Sequence, residues 1–262
     1  MSSWATRGIC LLQFAFLLLP STRLYAQGEA DPRTAQPERP TVATHAWSVA
    51  PGYAELEAGI ERDWSPDGTH AFSTPVELKI GLAHRMQLGL LGSLVGPPGQ
   101  ALGPGDLTIA LKYRLAEGLP LLGAFAVLPS VKFPTADRLH GTGTTDASLL
   151  LISSHELGPV SLDVNLGYTR RSGDGSRAPK NASVWTAAIG APIRGPLGLA
   201  AELFGFPGTS GPAGAKGSVA LLGGPTLVLH PWWTLDAGGI LRLRGPQADA
   251  FYAGLVYNLG RL

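Results

Sequence analysis

The chain has 262 residues, of which only 15% are charged, and a formal net charge of +1. Removing a leader over residues 1–26 takes away Arg7 and Arg23 and leaves 18 basic against 19 acidic residues, a net of −1. A near-neutral chain has no electrostatic footprint for nucleic acid, and its single cysteine, Cys10, lies in the leader, which excludes a disulfide frame or a cysteine metal site in the mature chain.

Arg7, the apolar run 9–19 and Leu24-Tyr25-Ala26 read as a signal peptide over 1–26 cleaved before Gln27. Beyond it no apolar run reaches the roughly 18 residues of a spanning helix. An exported, glycine-rich, low-charge chain of this kind has the composition of an outer-membrane barrel. Residues 27–50 are rich in Pro, Thr, Arg and Ala and lack periodicity, so they read as a flexible periplasmic lead before a barrel over 51–262.

The first strand is expected over 52–62, with Ala54, Leu56, Ala58 and Ile60 outward and Glu55, Glu57 and Glu61 inward. The second, 73–82, places Glu77 and Lys79 inward, and the third covers 85–95. The clearest signal is the hairpin that follows. In GDLTIALKYRL, residues 105–115, Leu107, Ile109, Leu111, Tyr113 and Leu115 alternate with Thr108, Ala110, Lys112 and Arg114. After the AEGLP turn, Phe125, Val127, Pro129, Val131 and Phe133 alternate with Ala126, Leu128, Ser130 and Lys132. Period-2 alternation over about 10 residues matches a tilted membrane-spanning strand.

The strand at 146–155 has ambiguous facing, because Leu149 to Ile152 are consecutive apolar residues. Further strands are expected over 159–171 with Asp163 inward, 182–193, 197–206 with Glu202 inward, 218–229, 232–244 with Asp236 and Arg242 inward, and 248–259. Pro129, Pro192 and Pro225 are expected at bulges. The count is about 12, and short turns alternate with long Gly/Pro-rich loops. The expectation is therefore an all-β chain, a transmembrane antiparallel β-barrel with both termini periplasmic.

Several motifs carry a resemblance. PGYAELEAGIER opens the barrel, GDLTIALKYRL fills 105–115, and LPSVKFPTAD at 128–137 is followed by GTGTTD. Together they resemble the outer-membrane "MetA-pathway of phenol degradation" family, whose members are often labelled transporters. Ala136 stands where such proteins usually have glycine after Pro-Thr, and Leu262 replaces a terminal aromatic residue. Phe251, Ala253, Leu255, Tyr257 and Leu259 nevertheless resemble the signal read by the barrel-assembly machinery. The resemblance implies an outer-membrane barrel that passes small, often aromatic or hydrophobic compounds. Its partners would be outer-membrane lipids, the assembly machinery and a permeant.

No Gly-x-Ser-x-Gly elbow, HExxH pair or phosphate loop occurs, and no cofactor is expected. His140, and His155 beside Ser153-Ser154, are the best candidates for a hydrolase pair. The informative polar set is the expected lumen charges: Glu55, Glu57, Glu77, Lys79, Lys112, Arg114, Lys132, Asp163, Glu202, Asp236 and Arg242. They form either a selective constriction or a paired network filling a narrow barrel. The first alternative makes the protein a passive channel. The second makes it a non-conducting structural barrel, and a barrel hydrolase is the remaining reading.

Overall fold

The computed structural model describes residues 31–262. The expected signal peptide over 1–26 and residues 27–30 of the expected lead lie outside the described residues.

Thirteen β elements follow in chain order. They are β1 (Tyr53–Trp64), β2 (His70–Ala83), β3 (Met86–Gly96), β4 (Gly103–Pro104), β5 (Leu107–Leu119), β6 (Gly123–Phe133), β7 (Asp146–Leu157), β8 (Val160–Arg171), β9 (Asn181–Arg194), β10 (Leu197–Phe206), β11 (Ser218–His230), β12 (Trp233–Arg244) and β13 (Asp249–Arg261). β4 is a two-residue flap on β3. The other twelve form one antiparallel sheet in which each strand pairs with its neighbours. The sheet closes where β13 pairs β1, with Glu57 opposite Val256 and Ile60 opposite Ala253. Closure leaves no unpaired edge, which is what a sheet in hydrocarbon requires.

The alternation in the sequence becomes the two faces of the barrel wall. On β5, Ile109, Leu111, Tyr113 and Leu115 are exposed, whereas Ala110, Lys112 and Arg114 are buried. β7 resolves the same way. Leu149 and Leu151 point out, while Ile152 and Ser154 are buried in the lumen. Exposed Ile60, Leu94, Leu166, Ile189, Leu203, Leu221, Leu241 and Phe251 continue the apolar belt around the outside. Inside, one apolar cluster joins Phe204, Leu222, Ile240 and Tyr252, and a second joins Ala46, Ala124, Ala126 and Ile152.

Short turns gather at one end of the barrel, as at 84–85, 158–159 and 195–196, and long connections such as 97–106, 134–145 and 207–217 gather at the other. Gly158 and Gly195 occupy left-handed conformations that tight turns need, with φ of 68° and 57°. The prolines correct one expectation. Pro129 pairs Leu149 and Pro225 pairs Leu199 in unbroken register, not at bulges. Each lacks a partner on the opposite side, Pro129 toward β5 and Pro225 toward β12, where the missing N–H interrupts the ladder. Only Pro192 sits beside an irregularity, between Leu197 and Gly198.

Candidate functional site: the occupied lumen

Residues 31–50 are not a flexible lead. They run inside the barrel, and Ala43, Ala46 and Val49 are buried there. An extended segment crossing a lumen has no strand beside it, yet its amides still need acceptors. The wall supplies them from side chains. Glu55 accepts from the Gln36 N–H at 2.8 Å and Glu57 from the Glu38 N–H at 2.8 Å. The two Glu202 oxygens accept from Val42 at 2.6 Å and Ala43 at 2.7 Å. The Asn165 amide binds both the N–H and the carbonyl of Thr44, at 2.7 and 2.9 Å. Ser154 Oγ accepts from Ala46 at 2.8 Å, and Gln87 Oε1 accepts from Val49 at 2.9 Å.

The charges follow the same plan. Lys79, fully buried, lies 2.7 Å from Glu55 and 2.5 Å from Glu57, and donates to the Gln36 carbonyl at 2.5 Å. Lys112 pairs with Glu38 of the segment and donates to the carbonyls of His45 and Trp47 at 3.0 and 3.1 Å. Arg39 reaches both oxygens of Asp236 at 3.3 Å. The Arg39 guanidinium fits because two lumen positions are glycine. A Cβ on Gly59 or Gly254 would stand 2.5 or 2.3 Å from it. Gly81 serves the backbone in the same way, since a Cβ there would lie 2.1 Å from the Ala50 carbonyl oxygen.

The eleven expected lumen charges therefore divide by place. Glu55, Glu57, Lys79, Lys112, Glu202 and Asp236 bind the segment directly. Arg114 lies over the Trp47 ring at 4.6 Å and donates to Glu117 at 2.9 Å. Asp163 holds Ser154 at 2.5 Å, and Glu77 lines a cavity with Glu38 and Glu57. Lys132 sits apart, toward the loop end, paired with Asp106 at 2.6 Å and Asp146 at 3.6 Å. The hairpin cations are thus paired, Lys132 with Asp106 and Asp146 and Lys112 with Glu38. Arg242 is at the rim, 4.0 Å from Asp249. The sequence reading missed Glu38, Arg39 and Gln87. A signal existed in the inward glycines 59, 81 and 254, which leave room in the wall for no reason internal to the sheet.

The segment forms the wall between two cavities. One, about 400 Å³, reaches the short-turn end and is lined by Pro37, Pro40, His45, Ala188, Pro196 and Thr226. The other, about 270 Å³, joins Glu38, Glu57 and Glu77 to Leu91, Leu128 and Leu150. Arg39 and Thr41 line both.

The hydrolase candidates are placed as follows. Ser153 Oγ is 3.1 Å from His155 Nε2 on the outer face of β7, but it donates to the Leu122 carbonyl at 2.8 Å. Ser154, on the inner face, is committed to Asp163 and Ala46. His140 bridges two loops, with Nδ1 2.7 Å from Asp137 and Nε2 3.0 Å from the Ala101 carbonyl.

Among solved structures, the chain is similar to an outer membrane channel from Pseudomonas putida F1, with a TM-score of 0.63 and 14% identity over 84% of this chain and 100% of that one. It is similar to the NanC porin, with a TM-score of 0.57 and 12% identity over 79% of this chain and 100% of that one. It also resembles the KdgM porin, described in complex with disordered oligogalacturonate, at a TM-score of 0.52 and 9% identity over 78% and 98% of the two chains. At such identities the likeness establishes the fold, that of outer-membrane barrels. No curated protein matches the chain. The family model described as "Putative MetA-pathway of phenol degradation" matches residues 71–253, from β2 into β13, and the chain belongs to that family.

Proposed function

We propose that the protein is an outer-membrane channel or facilitator for the passive passage of small, aromatic or hydrophobic compounds, and not an enzyme. The observation that carries this reading is the pair of lumen cavities that meet at Arg39 and Thr41 of the chain's own N-terminal segment. The segment is held in the lumen by hydrogen bonds and ion pairs, contacts that can be exchanged for water one at a time. Family membership and the fold shared with channels and porins support the same reading. The short-turn end, where Tyr53 pairs Arg261, is the periplasmic end in this proposal, and the long loops face outward. The exposed leucine belt meets outer-membrane lipid, and the alternating C-terminal strand serves the assembly machinery. The Ser153 and His155 pair lies on the outer face and has no carboxylate partner among the described residues, which favours transport over hydrolysis.

Uptake of phenol, benzoate and toluene into liposomes tests the proposal, with conductance in planar bilayers alongside. The native chain should pass at least one of these compounds faster than protein-free liposomes do. Replacing Arg39 and Glu38 with glutamine should increase conductance by loosening the segment. A second reading has its own support, because the segment fills the lumen with paired charges. If native and variant barrels are folded but neither conducts nor admits any compound, the protein is a structural barrel.

A further inference from the structure

A further cavity, about 560 Å³, lies at the loop-end rim between β9, β10, β11 and β12. Trp185, Phe206, Lys216 and Arg244 line it together with the backbone of Gly208 and Gly217, and no carboxylate does. Among the described residues neither Lys216 nor Arg244 has a carboxylate within salt-bridge distance. On the strands beneath, Arg242 lies 4.0 Å from Asp249. Two cations are thus left free beside an aromatic surface, whereas the lumen cations bound to the segment are all neutralised.

The indole is built into the wall. Trp185 pairs Gly205 across the β9/β10 ladder, and a Cβ on Gly205 would lie 2.7 Å from its ring. On the outer face, Leu203 pairs Leu221 and Leu221 pairs Leu241, so three exposed leucines form one row across three strands. Trp185 and Arg244 stand on one rung, joined through Gly205 and Val219, Lys216 lies in the adjoining loop, and the leucine row is further from the loop end. A tryptophan belongs at the headgroup level, a basic group beside it binds phosphate oxygens, and leucines take acyl chains.

We propose that this rim is a binding site for a phosphorylated lipid of the leaflet at the loop end. Lys216 and Arg244 would hold the phosphate, Trp185 would lie at the headgroup boundary, and the row of Leu203, Leu221 and Leu241 would carry the chains. The proposal rests on the membrane placement given above, which makes that leaflet the outer one and the phosphate that of lipid A.

The test is retention of lipid by the full-length protein extracted from outer membranes in mild detergent, read by mass spectrometry of the bound phospholipid and lipid A. The native barrel should keep lipid A through gel filtration. K216Q/R244Q should lose it while keeping its heat-modifiable mobility, conductance and native elution. Arg244→Lys should retain it in part, because a cation remains. Equal retention by native and double-variant barrels would overturn the site. So would release of lipid A by millimolar inorganic phosphate, which would assign the cations to free phosphate, or equal retention of phosphatidylglycerol, which would leave a merely anionic surface. A protein that fractionates away from the outer membrane would instead overturn the placement on which the proposal rests.

Discussion

The hairpin of β5 and β6 and the segment 31–50 both end up in contact with the lumen, yet only one of them shows this in its own residues. Along β5 every second residue is apolar, because one face meets lipid and the other does not. The segment has no such period, because it has no second face. It is enclosed by the wall, and apart from the ion pairs of Glu38 and Arg39 most of its polar contacts are made by its backbone, which every residue type carries. Specificity for the segment is therefore written on its partners. Glu55, Glu57, Gln87, Asn165 and Glu202 are acceptors at the heights where an N–H arrives. A two-faced element advertises its position in its sequence, and an enclosed one is specified by its enclosure.

The difference is sharpest at Lys79. It is fully buried among Glu55, Glu57 and Glu38, and it also holds the Gln36 carbonyl. Lys79→Met removes the cation and leaves carboxylates facing one another without compensation. Breaking a buried pair costs about 3–5 kcal/mol. The urea midpoint of the barrel in detergent should fall accordingly, and protease should reach residues 31–50. Adding Glu57→Gln should recover part of the loss by removing one stranded charge. If Lys79→Met leaves both the midpoint and the protease pattern unchanged, the segment is not anchored through this cluster.

The hairpin should break differently. Ile109 is exposed on the outer face and Ala110, its neighbour, is buried on the inner face. Ile109→Arg places a charge in the lipid belt and should cost about 2–4 kcal/mol near the midplane. It should do so without exposing the segment to protease. Ala110 lines the cavity that holds Glu38 and Glu77, so an arginine there has carboxylates within reach. Ala110→Arg should cost less in unfolding free energy and should alter conductance instead. The pair thus separates lipid-face from lumen-face damage by two independent readouts. Equal destabilisation at both positions, with conductance unchanged, would mean that facing does not decide the outcome.

Much of the barrel was legible because alternation and loop length are consequences of spanning a bilayer. Strand number, the facing of β5 and the placement of the long loops all follow from it. The inward set of charges was legible for the same reason, since a charge on an apolar-alternating strand has only one tolerable side. Their partners were not legible. Nothing near Lys112 in the chain points to Glu38, which is 74 residues away. Nor does a proline- and threonine-rich stretch announce that its amides will be counted by a wall built later in the chain. The glycines came closest to revealing it, because Gly59, Gly81 and Gly254 are lumen positions where side chains are missing.

Between these two regions lies a third kind of contact, loop to loop, and its expected effect is the smallest. His140 faces the Ala101 carbonyl through Nε2 and the Asp137 carboxylate through Nδ1. A neutral imidazole carries one N–H and can satisfy only one of two acceptors, so the imidazolium is the form that completes the bridge. The Ala101 carbonyl, and then Asp137, hold the histidine above its ordinary value. A raised value means that the folded loops bind the proton more tightly than the unfolded chain does. The stabilisation is therefore complete below the ordinary imidazole value of about 6.5 and is lost as pH rises through the folded value. Asp106 and Lys132 line the cavity beside the ring, but they are paired with each other, so neither offers the histidine a free charge. Protease cleavage within 97–106 or 134–145 should consequently be slower at pH 5.5 than at pH 8.5. His140→Phe should remove that difference while leaving cleavage of the segment 31–50 and the conductance as they were. A pH difference that persists in His140→Phe would place the titrating group elsewhere in the loops.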